Sequence, residues 1–341
     1  MNKRVSLKDV AQHVGVSIAL VSYVLNGQEK EKGVSPEMTV KIRKAIAKLN
    51  YQPNLVAKGL KSGKSHTIGL IVADISNPFF SAIARVIEDE TAKHGYVLLI
   101  GSCDENAAKS QHLEAVFLNR QVDALIMTPA AGTQRQIKEM IKKKPVILID
   151  RYFDNLKCDS VRVENYEACL AAVLHLINNG RRRIAMVTYR TELLHFHDRQ
   201  EGYKAALAQH NIPFNPNWVV EASYDHLEQD IAEGLGRLLR AGSLDAVFFA
   251  NNTLAVAGLK TINSLNIKVP HDVAVVSFDE SEAFDLFYAP VTYVRQPIEA
   301  IGKEAVRMAI ERIKDLTLET RMVTIPATFI VRESSGTPPN I

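Results

Sequence analysis

Residues 6–26 read SLKDVAQHVGVSIALVSYVLN. Ser6 predicts a helix N-cap, and Asp9, three residues on, stands at the acid position of a capping box. Val10 and Val14 share one face at helical spacing, with Ala11 beside them. Gly15-Val16-Ser17 ends that helix, because glycine adopts the dihedrals of a tight turn at little steric cost and Ser17 can cap the next helix. Leu20, Val21, Val24 and Leu25 form the apolar face of a second helix, closed by Asn26-Gly27. Two short helices joined by such a turn predict a helix-turn-helix, in which the second helix enters the DNA major groove. Ala11, Gly15 and Val21 stand where crossed helices need a small contact, a bend and a packing residue. A helical hairpin with no partner would show the same pattern, so the choice falls to the rest of the chain.

Charge favours the nucleic-acid reading. Residues 1–64 carry 12 Lys or Arg against four acids, whereas the remaining 277 carry 29 against 34. The formal net charge of +3 therefore hides a basic head on a mildly acidic body, the footprint of a nucleic-acid reader joined to a different domain. A length of 341 residues leaves room for two or more packed units, and 47% apolar with 23% charged residues is ordinary globular composition. No run of 18 apolar residues occurs, and MNKRVSLKD lacks the apolar core of a signal peptide, which predicts a cytoplasmic protein with no membrane segment. Cys103, Cys158 and Cys169 are odd in number and show no CxxC, which predicts buried thiols rather than a disulfide framework or a zinc site.

Ser35-Pro36 begins a third helix, with Val40, Ile42, Ala45, Ile46 and Leu49 as core contacts and Lys41, Arg43, Lys44 and Lys48 facing water or phosphate. Asn54–Lys61 (NLVAKGLK) is too short to hold a helix alone. It reads either as a linker that becomes helical on DNA beside a second copy, or as a plain connection. From Thr67 the texture alternates. Nearly continuous apolar runs such as Thr67–Asp74 (TIGLIVAD) predict strands buried on both faces, each followed by a helix. Strands are predicted at 67–74, 96–101, 124–127 and 146–150, then at 184–188, 218–222, 246–250 and 273–278. Helices fall between them, among them 199–210, and a last helix at 298–315 precedes an alternating stretch at 321–332. Two successive βα runs predict two doubly wound parallel-sheet lobes behind the small all-α head. Ligands of such sheets sit at the carboxyl ends of strands.

Polar residues collect at those ends: Asp74, Asn77, Phe79 and Phe80 in DISNPFF, then Asp150-Arg151, Asn251-Asn252 and Asp279-Glu280. Hydrogen-bonding side chains beside aromatic faces suit a polyhydroxylated ligand; each residue alone is more often a cap or turn residue, and their recurrence at one edge of the sheets shifts the balance. No Walker A, GxGxxG, GxSxG or HExxH motif occurs. His195-Phe196-His197 has no spaced carboxylate or Cys to complete a metal site, and a loop or pocket-lining role fits it better. Adjacent Asp279 and Glu280 on a strand point opposite ways, unlike the paired carboxylates of a glycosidase. Neither catalysis, nor a metal, nor a cofactor is expected.

With these residues in view, the chain resembles the lactose-repressor (LacI/GalR) family of transcription regulators over essentially its whole length. The motifs that carry the resemblance are LKDVAQHVGVSIALVSYVLN, LNYQPNLVAKGLKSGKS and TIGLIVADISNPFF, followed by RQEGY, FANN, VVSFDE and PVTYVRQP. It implies a DNA-binding domain at 1–52, a hinge helix and linker at 53–65, and a periplasmic-binding-protein-like core at 66–335, with 336–341 as a tail. Lobe one would hold about 66–164 and 298–325, and lobe two about 165–294 and 326–335. It further implies a homodimer that binds double-stranded, pseudo-palindromic operator DNA and a small sugar-like effector.

Carried across position by position, Ile18, Ala19 and Tyr23 would read bases, and Ser17, Ser22 and Asn26 would contact phosphate. Leu60 matches a hinge leucine that wedges into the minor groove, with Ala57 beside it and Asn54 and Lys58 completing the DNA-facing set. Phe79, Phe80, Asp150, Arg199, Asn251 and Asp279 match effector-pocket positions, and Asp74 and Asn77 lie at the same strand end. Three features depart from the family pattern. Tyr23 stands where arginine is frequent, which predicts less dependence on a G·C pair and more on hinge and shape readout. Asn252 replaces a common aspartate, and the loop 28–33 is longer than usual. A purine, a nucleoside or a partner protein remains an alternative effector. An exported solute receptor or a sugar-processing enzyme would need features the chain does not show. With no leucine heptad after Arg332, a coiled-coil tetramer is not expected.

Overall fold

The computed structural model describes residues 5–51 and 64–336. They divide into two compact units between Ser65 and His66. The hinge positions Asn54, Ala57, Lys58 and Leu60 lie outside the described residues.

The first unit holds α1 (Leu7–Val14), α2 (Ile18–Leu25) and α3 (Pro36–Lys48). Its capping box is complete: the Asp9 amide donates to Ser6 Oγ at 3.3 Å, and the Ser6 amide donates to Asp9 Oδ2 at 2.7 Å. Gly15 bends the chain with φ 78, a left-handed value that disfavours side chains. Ser17 and Ser35 cap the next two helices by accepting the amides of Leu20 and Met38, each at 3.2 Å. Val10, Ala11, Val14, Val21, Val24, Ile42, Ala45 and Tyr51 make the small core. Val40 does not join it and is 52% exposed. Two residues from Ile42 it is turned about 200° around the helix, and Thr39 takes the inward place. Glu29 pins the loop 28–33 to α3 through Arg43 at 2.7 Å.

The second unit contains two six-stranded sheets with the same spatial order. In the first lobe, β1 (Thr67–Val72), β2 (Val97–Ser102), β3 (Ala124–Met127), β4 (Val146–Ile149), β5 (Asp159–Val163) and β11 (Met322–Ile325) run 2-1-3-4-5-11, all parallel. In the second, β6 (Ile184–Tyr189), β7 (Val219–Ala222), β8 (Ala246–Phe249), β9 (Ala274–Phe278), β10 (Thr292–Arg295) and β12 (Thr328–Ile330) run 7-6-8-9-10-12. There only β12 is antiparallel to its neighbour. The order reverses beside β1 and again beside β6, which opens a crevice at the strand ends of each sheet.

Helices α4 (Pro78–Lys93), α5 (Ala107–Asn119), α6 (Gln134–Ile141) and α12 (Ile298–Lys314) belong to the first lobe. Those of the second are α7 (Asn165–Asn178), α8 (Leu194–Gln209), α9 (Leu227–Arg240), α10 (Asn252–Ser264) and the short α11 (Ala283–Leu286). Among the described residues the chain crosses between lobes at 163–165, 295–298 and 325–328.

Several elements differ from the sequence expectation. Strands β5 and β10 have no counterpart in it, and α8 begins at Leu194 rather than Arg199, so Arg199 sits in the second turn of a helix. Trp218 ends a short 3-10 turn and β7 starts after it.

Helices α7 and α8 touch at Gly202, the glycine of RQEGY, where a Cβ would lie 2.4 Å from the Tyr166 carbonyl oxygen. Backbone cannot yield as a flexible side chain does. Gly202→Ala is expected to cost about 1–3 kcal/mol, read as a fall of several degrees in the thermal midpoint. An unchanged midpoint would show that the two helices are not held at this distance.

Candidate functional site

On the head, the outward face of α2 is formed by the residues singled out from sequence. Ser17, Ile18, Ala19 and Asn26 are exposed, and Ser22 and Tyr23 are half-exposed. Ile18 is 48% exposed, although its type favours burial. The Ser17 oxygen accepts the Leu20 amide, which leaves its hydroxyl proton available to an outside acceptor. Asn26 turns back on the helix, its Nδ2 donating to the Ser22 carbonyl at 2.9 Å. Lys41, Lys44 and Lys48 on α3 are exposed.

In the second unit, strand ends of both lobes converge on one small cavity of about 70 Å³. Lobe one contributes Asp74, Asn77, Phe79, Phe80, Asp150 and the ion pair Glu105–Arg151. Lobe two contributes Arg199, Asn251 and Asp279 with Tyr189, His195, Phe196, Tyr224, Thr253 and Gln296. All eight effector positions named from sequence therefore meet in one place.

Local structure explains each placement. Asp150 follows β4 in one sheet and Asp279 follows β9 in the other, and both have φ 64. That left-handed kink, which Asp tolerates better than most residues, comes where the strand stops. Asn77 and Asn251 cap α4 and α10, accepting the amides of Phe79 and Leu254, each at 2.9 Å. Asn77 also reaches across the cleft, its Nδ2 donating to Thr253 Oγ1 at 3.2 Å. Asp198 accepts from Tyr152 at 2.9 Å and forms a second bridge between lobes. Asn252 Nδ2 donates to the Glu280 carbonyl at 3.1 Å, so this departure from the family pattern serves the rim of the cleft.

Arg199 is 2% exposed. Its Nε donates to Asn165 Oδ1 at 2.9 Å and its Nη1 to the Ala250 carbonyl at 2.6 Å. The guanidinium lies 3.6 Å from the centre of the Phe278 ring, and Asp279 Oδ2 is 4.0 Å from Nη1. Gln296 holds the other Asp279 oxygen at 2.6 Å. Tyr189 and Tyr224 stack at 4.1 Å; burial raises both phenols, which stay protonated donors. Burial pushes the Asp150 carboxyl up to about 6 against the pull of Arg151 and Arg199, and Asp279 and Glu105 add to the rise. Asp279 is also raised, mainly by burial. His195 is held well below its ordinary value by burial and by the two arginines.

His195 faces the cavity while His197 is exposed, so the pair does not converge. Among the described residues no group of three or more His, Cys, Asp or Glu is placed to hold a metal. The thiols of Cys103, Cys158 and Cys169 are buried, and no helix of the described residues is long and apolar enough to cross a membrane. Sequence reasoning missed Glu105, Tyr189, Tyr224, Thr253 and Gln296. Glu105 follows the predicted strand at 96–101, so the strand-end rule that found Asp150 pointed to it as well.

The Asp150 shift has a consequence for stability. The native state holds this proton more tightly than the unfolded chain, so the contribution of Asp150 falls as pH rises from about 4 through about 6. Above that it stays at the lower level. Asp150→Asn removes the charge and asparagine accepts the left-handed backbone. The variant is expected to be more stable than the parent by about 1–3 kcal/mol near pH 8, with the gain shrinking toward about pH 4. Chemical denaturation across that range checks it; a variant less stable near pH 8 would contradict the assigned cost of the buried charge.

Residues 6–54 match the family described as bacterial regulatory proteins, lacI family, and residues 173–335 match a periplasmic binding protein-like domain. The chain is 30% identical to the ribose operon repressor of Haemophilus influenzae over 329 residues, 96% of this chain and 98% of that protein. It is 29% identical to the HTH-type transcriptional repressor PurR of Aliivibrio fischeri over 333 residues, again 96% and 98%. A solved LacI family transcriptional regulator from Enterococcus faecium with bound ribose is 27% identical, with a TM-score of 0.70 over 80% of this chain and 100% of that one. A helix-turn-helix head, a two-lobed core with a polar cleft, and full-length likeness to these repressors agree: the chain belongs to the lacI family of bacterial regulatory proteins.

Proposed function

We propose that this DNA-binding transcriptional regulator represses carbohydrate-utilisation genes in the cytoplasm, and that a small sugar-like effector in the interlobe cavity sets its operator affinity. The observation that carries this reading is the convergence of Asp150, Arg199, Asn251 and Asp279 from two lobes on one cavity beside Phe79 and Phe80. Hydrogen-bonding groups on both sides with aromatic faces between them suit a polyol. The ribose bound to the Enterococcus faecium regulator and the name of the Haemophilus influenzae repressor support a sugar.

Ile18, Ala19 and Tyr23 read bases in this account, Ser17, Ser22 and Asn26 position the head on phosphates, and Asn54, Ala57, Lys58 and Leu60 act at the hinge. Ile18 and Ala19 offer only apolar contacts, such as one to a thymine methyl. A second copy of the chain completes a two-fold operator complex. The edge strand β2, with Val97 58% and Ile100 46% exposed, and Leu286 at 87% supply apolar surface for that partner. Control is linkage: the effector binds one lobe arrangement better than another, and DNA binds best to one of them.

The test is binding of the full chain to a duplex selected from a random-sequence pool, measured against salt with and without monosaccharides. A steep loss of affinity with salt, about one power of concentration per phosphate contact, and a midpoint shifted by at least one sugar are expected. Leu60→Ala should weaken DNA binding while leaving sugar affinity intact. DNA binding that no monosaccharide moves would turn the effector assignment toward purines, nucleosides or a protein partner. DNA binding insensitive to salt would overturn the assignment of the head.

A further inference from the structure

Three side chains facing the cavity keep a buried polar atom without a hydrogen-bond partner: Arg151 Nε, which has only the Asp150 carboxylate at 3.5 Å, His195 Nδ1 and Gln296 Oε1. The residues are 4%, 3% and 5% exposed. Unpaired polar atoms at this depth are uncommon in folded proteins and call for a partner from outside the chain, a water or a ligand. They offer one fixed donor, one fixed acceptor and an imidazole nitrogen that plays either part by tautomer. Hydroxyl groups, which both donate and accept, serve all three.

Charge in the cavity runs the other way from an anion site. The strongest seat for a carboxylate or phosphate would be the fork of Arg151. Glu105 fills it, accepting from Nη1 at 2.7 Å and from Nη2 at 2.6 Å. Glu105 is held there by its backbone: its amide donates to the Ala73 carbonyl at 3.0 Å, and Asp104 and Glu105 both take left-handed φ values, 51 and 55. Arg199 commits Nε to Asn165 and Nη1 to Ala250. Against these two guanidiniums the wall sets Asp74, Glu105, Asp150 and Asp279. A neighbouring cleft of about 430 Å³ shares Phe79, Asp279 and Gln296 and adds Glu280 and Glu282. His195, neutral between two arginines, adds no positive charge.

We propose that Glu105 selects the charge of the effector: by occupying the Arg151 fork it restricts the cavity to an uncharged polyhydroxylated molecule and excludes phosphorylated sugars and sugar acids. The hydroxyls of that molecule meet Arg151 Nε, His195 Nδ1 and Gln296 Oε1. This assignment rests on the reading of the cavity as the effector site. Removing the Glu105 charge frees the Arg151 fork, and an acid of suitable size gains a bidentate partner.

The experiment is calorimetric titration of the full chain, of Glu105→Gln and of Glu105→Ala with D-ribose and D-glucose, their phosphates and the matching aldonates. The parent is expected to bind a neutral aldose and to bind its phosphate and aldonate about 100-fold more weakly or less. The variants should narrow that gap about tenfold by binding the aldonate more tightly. A parent that takes a phosphate or aldonate as well as the neutral sugar overturns the proposal while leaving the effector site standing. So do folded variants, checked by circular dichroism, whose discrimination is unchanged. Unfolding of both variants assigns the Glu105–Arg151 pair to stability and also overturns it. No binding of any panel member to parent or variants overturns the effector reading itself.

Discussion

The cleft is built around a buried guanidinium. Moving a charge of this kind out of water costs several kcal/mol unless neighbours replace its hydration. Arg199 is met by the Asn165 side chain, the Ala250 carbonyl, the Phe278 ring and the Asp279 carboxylate. They come from three parts of the architecture. Asn165 opens α7 directly after the first crossing between lobes, Ala250 directly follows β8, and Phe278-Asp279 lies at the end of β9. One side chain therefore ties the crossing to two strand ends of lobe two. Burial lowers the Arg199 pKa, and Asp279 and Asp150 oppose that shift. The remaining imbalance appears on the carboxylates, which are raised. The site holds its charges at some expense in stability, as pre-organised binding sites commonly do.

The two lobes meet this centre in the same way. Each sheet has the order that reverses beside its first strand, and each supplies an aspartate in a left-handed kink, Asp150 from one and Asp279 from the other. An asparagine caps the helix beside the cleft on both sides, Asn77 in lobe one and Asn251 in lobe two. Asn77 to Thr253 and Tyr152 to Asp198 already bridge the lobes. A ligand bonded to both sides adds to those bridges and favours whichever lobe arrangement satisfies them all. Such a differential is what effector control requires.

Much of this architecture is legible in the amino-acid sequence, because buried parallel strands write themselves as apolar runs. TIGLIV, ALIM, VILI and AVFF have to be strands, and polar residues directly after them have to stand at strand ends. That rule locates Asp74, Asp150, Asn251 and Asp279. The strand DSVRV is not legible, since Asp159 interrupts the apolar pattern and its partner, Arg312, lies 153 residues away. The start of α8 is hidden for a local reason: Leu193 at its N-cap makes no side-chain cap bond, so no Ser, Thr, Asp or Asn signal precedes it. Val40 reads as a core residue by type, but the helical period turns it outward. Tyr189 and Tyr224 face the cavity from lobe two, and their stacking is set by the folded lobe rather than by any linear pattern.

The central claim, that an uncharged sugar is held between the lobes around Arg199, is tested most directly by a crystal structure of the full chain with a bound monosaccharide. The account predicts sugar hydroxyls within hydrogen-bond distance of groups from both lobes, Asp150 and Arg151 on one side and Arg199 and Asp279 on the other. It also predicts that the Glu105–Arg151 pair stays intact. A sugar bound outside this cavity, bonded to one lobe alone, or seated on an Arg151 fork from which Glu105 has been displaced would contradict it.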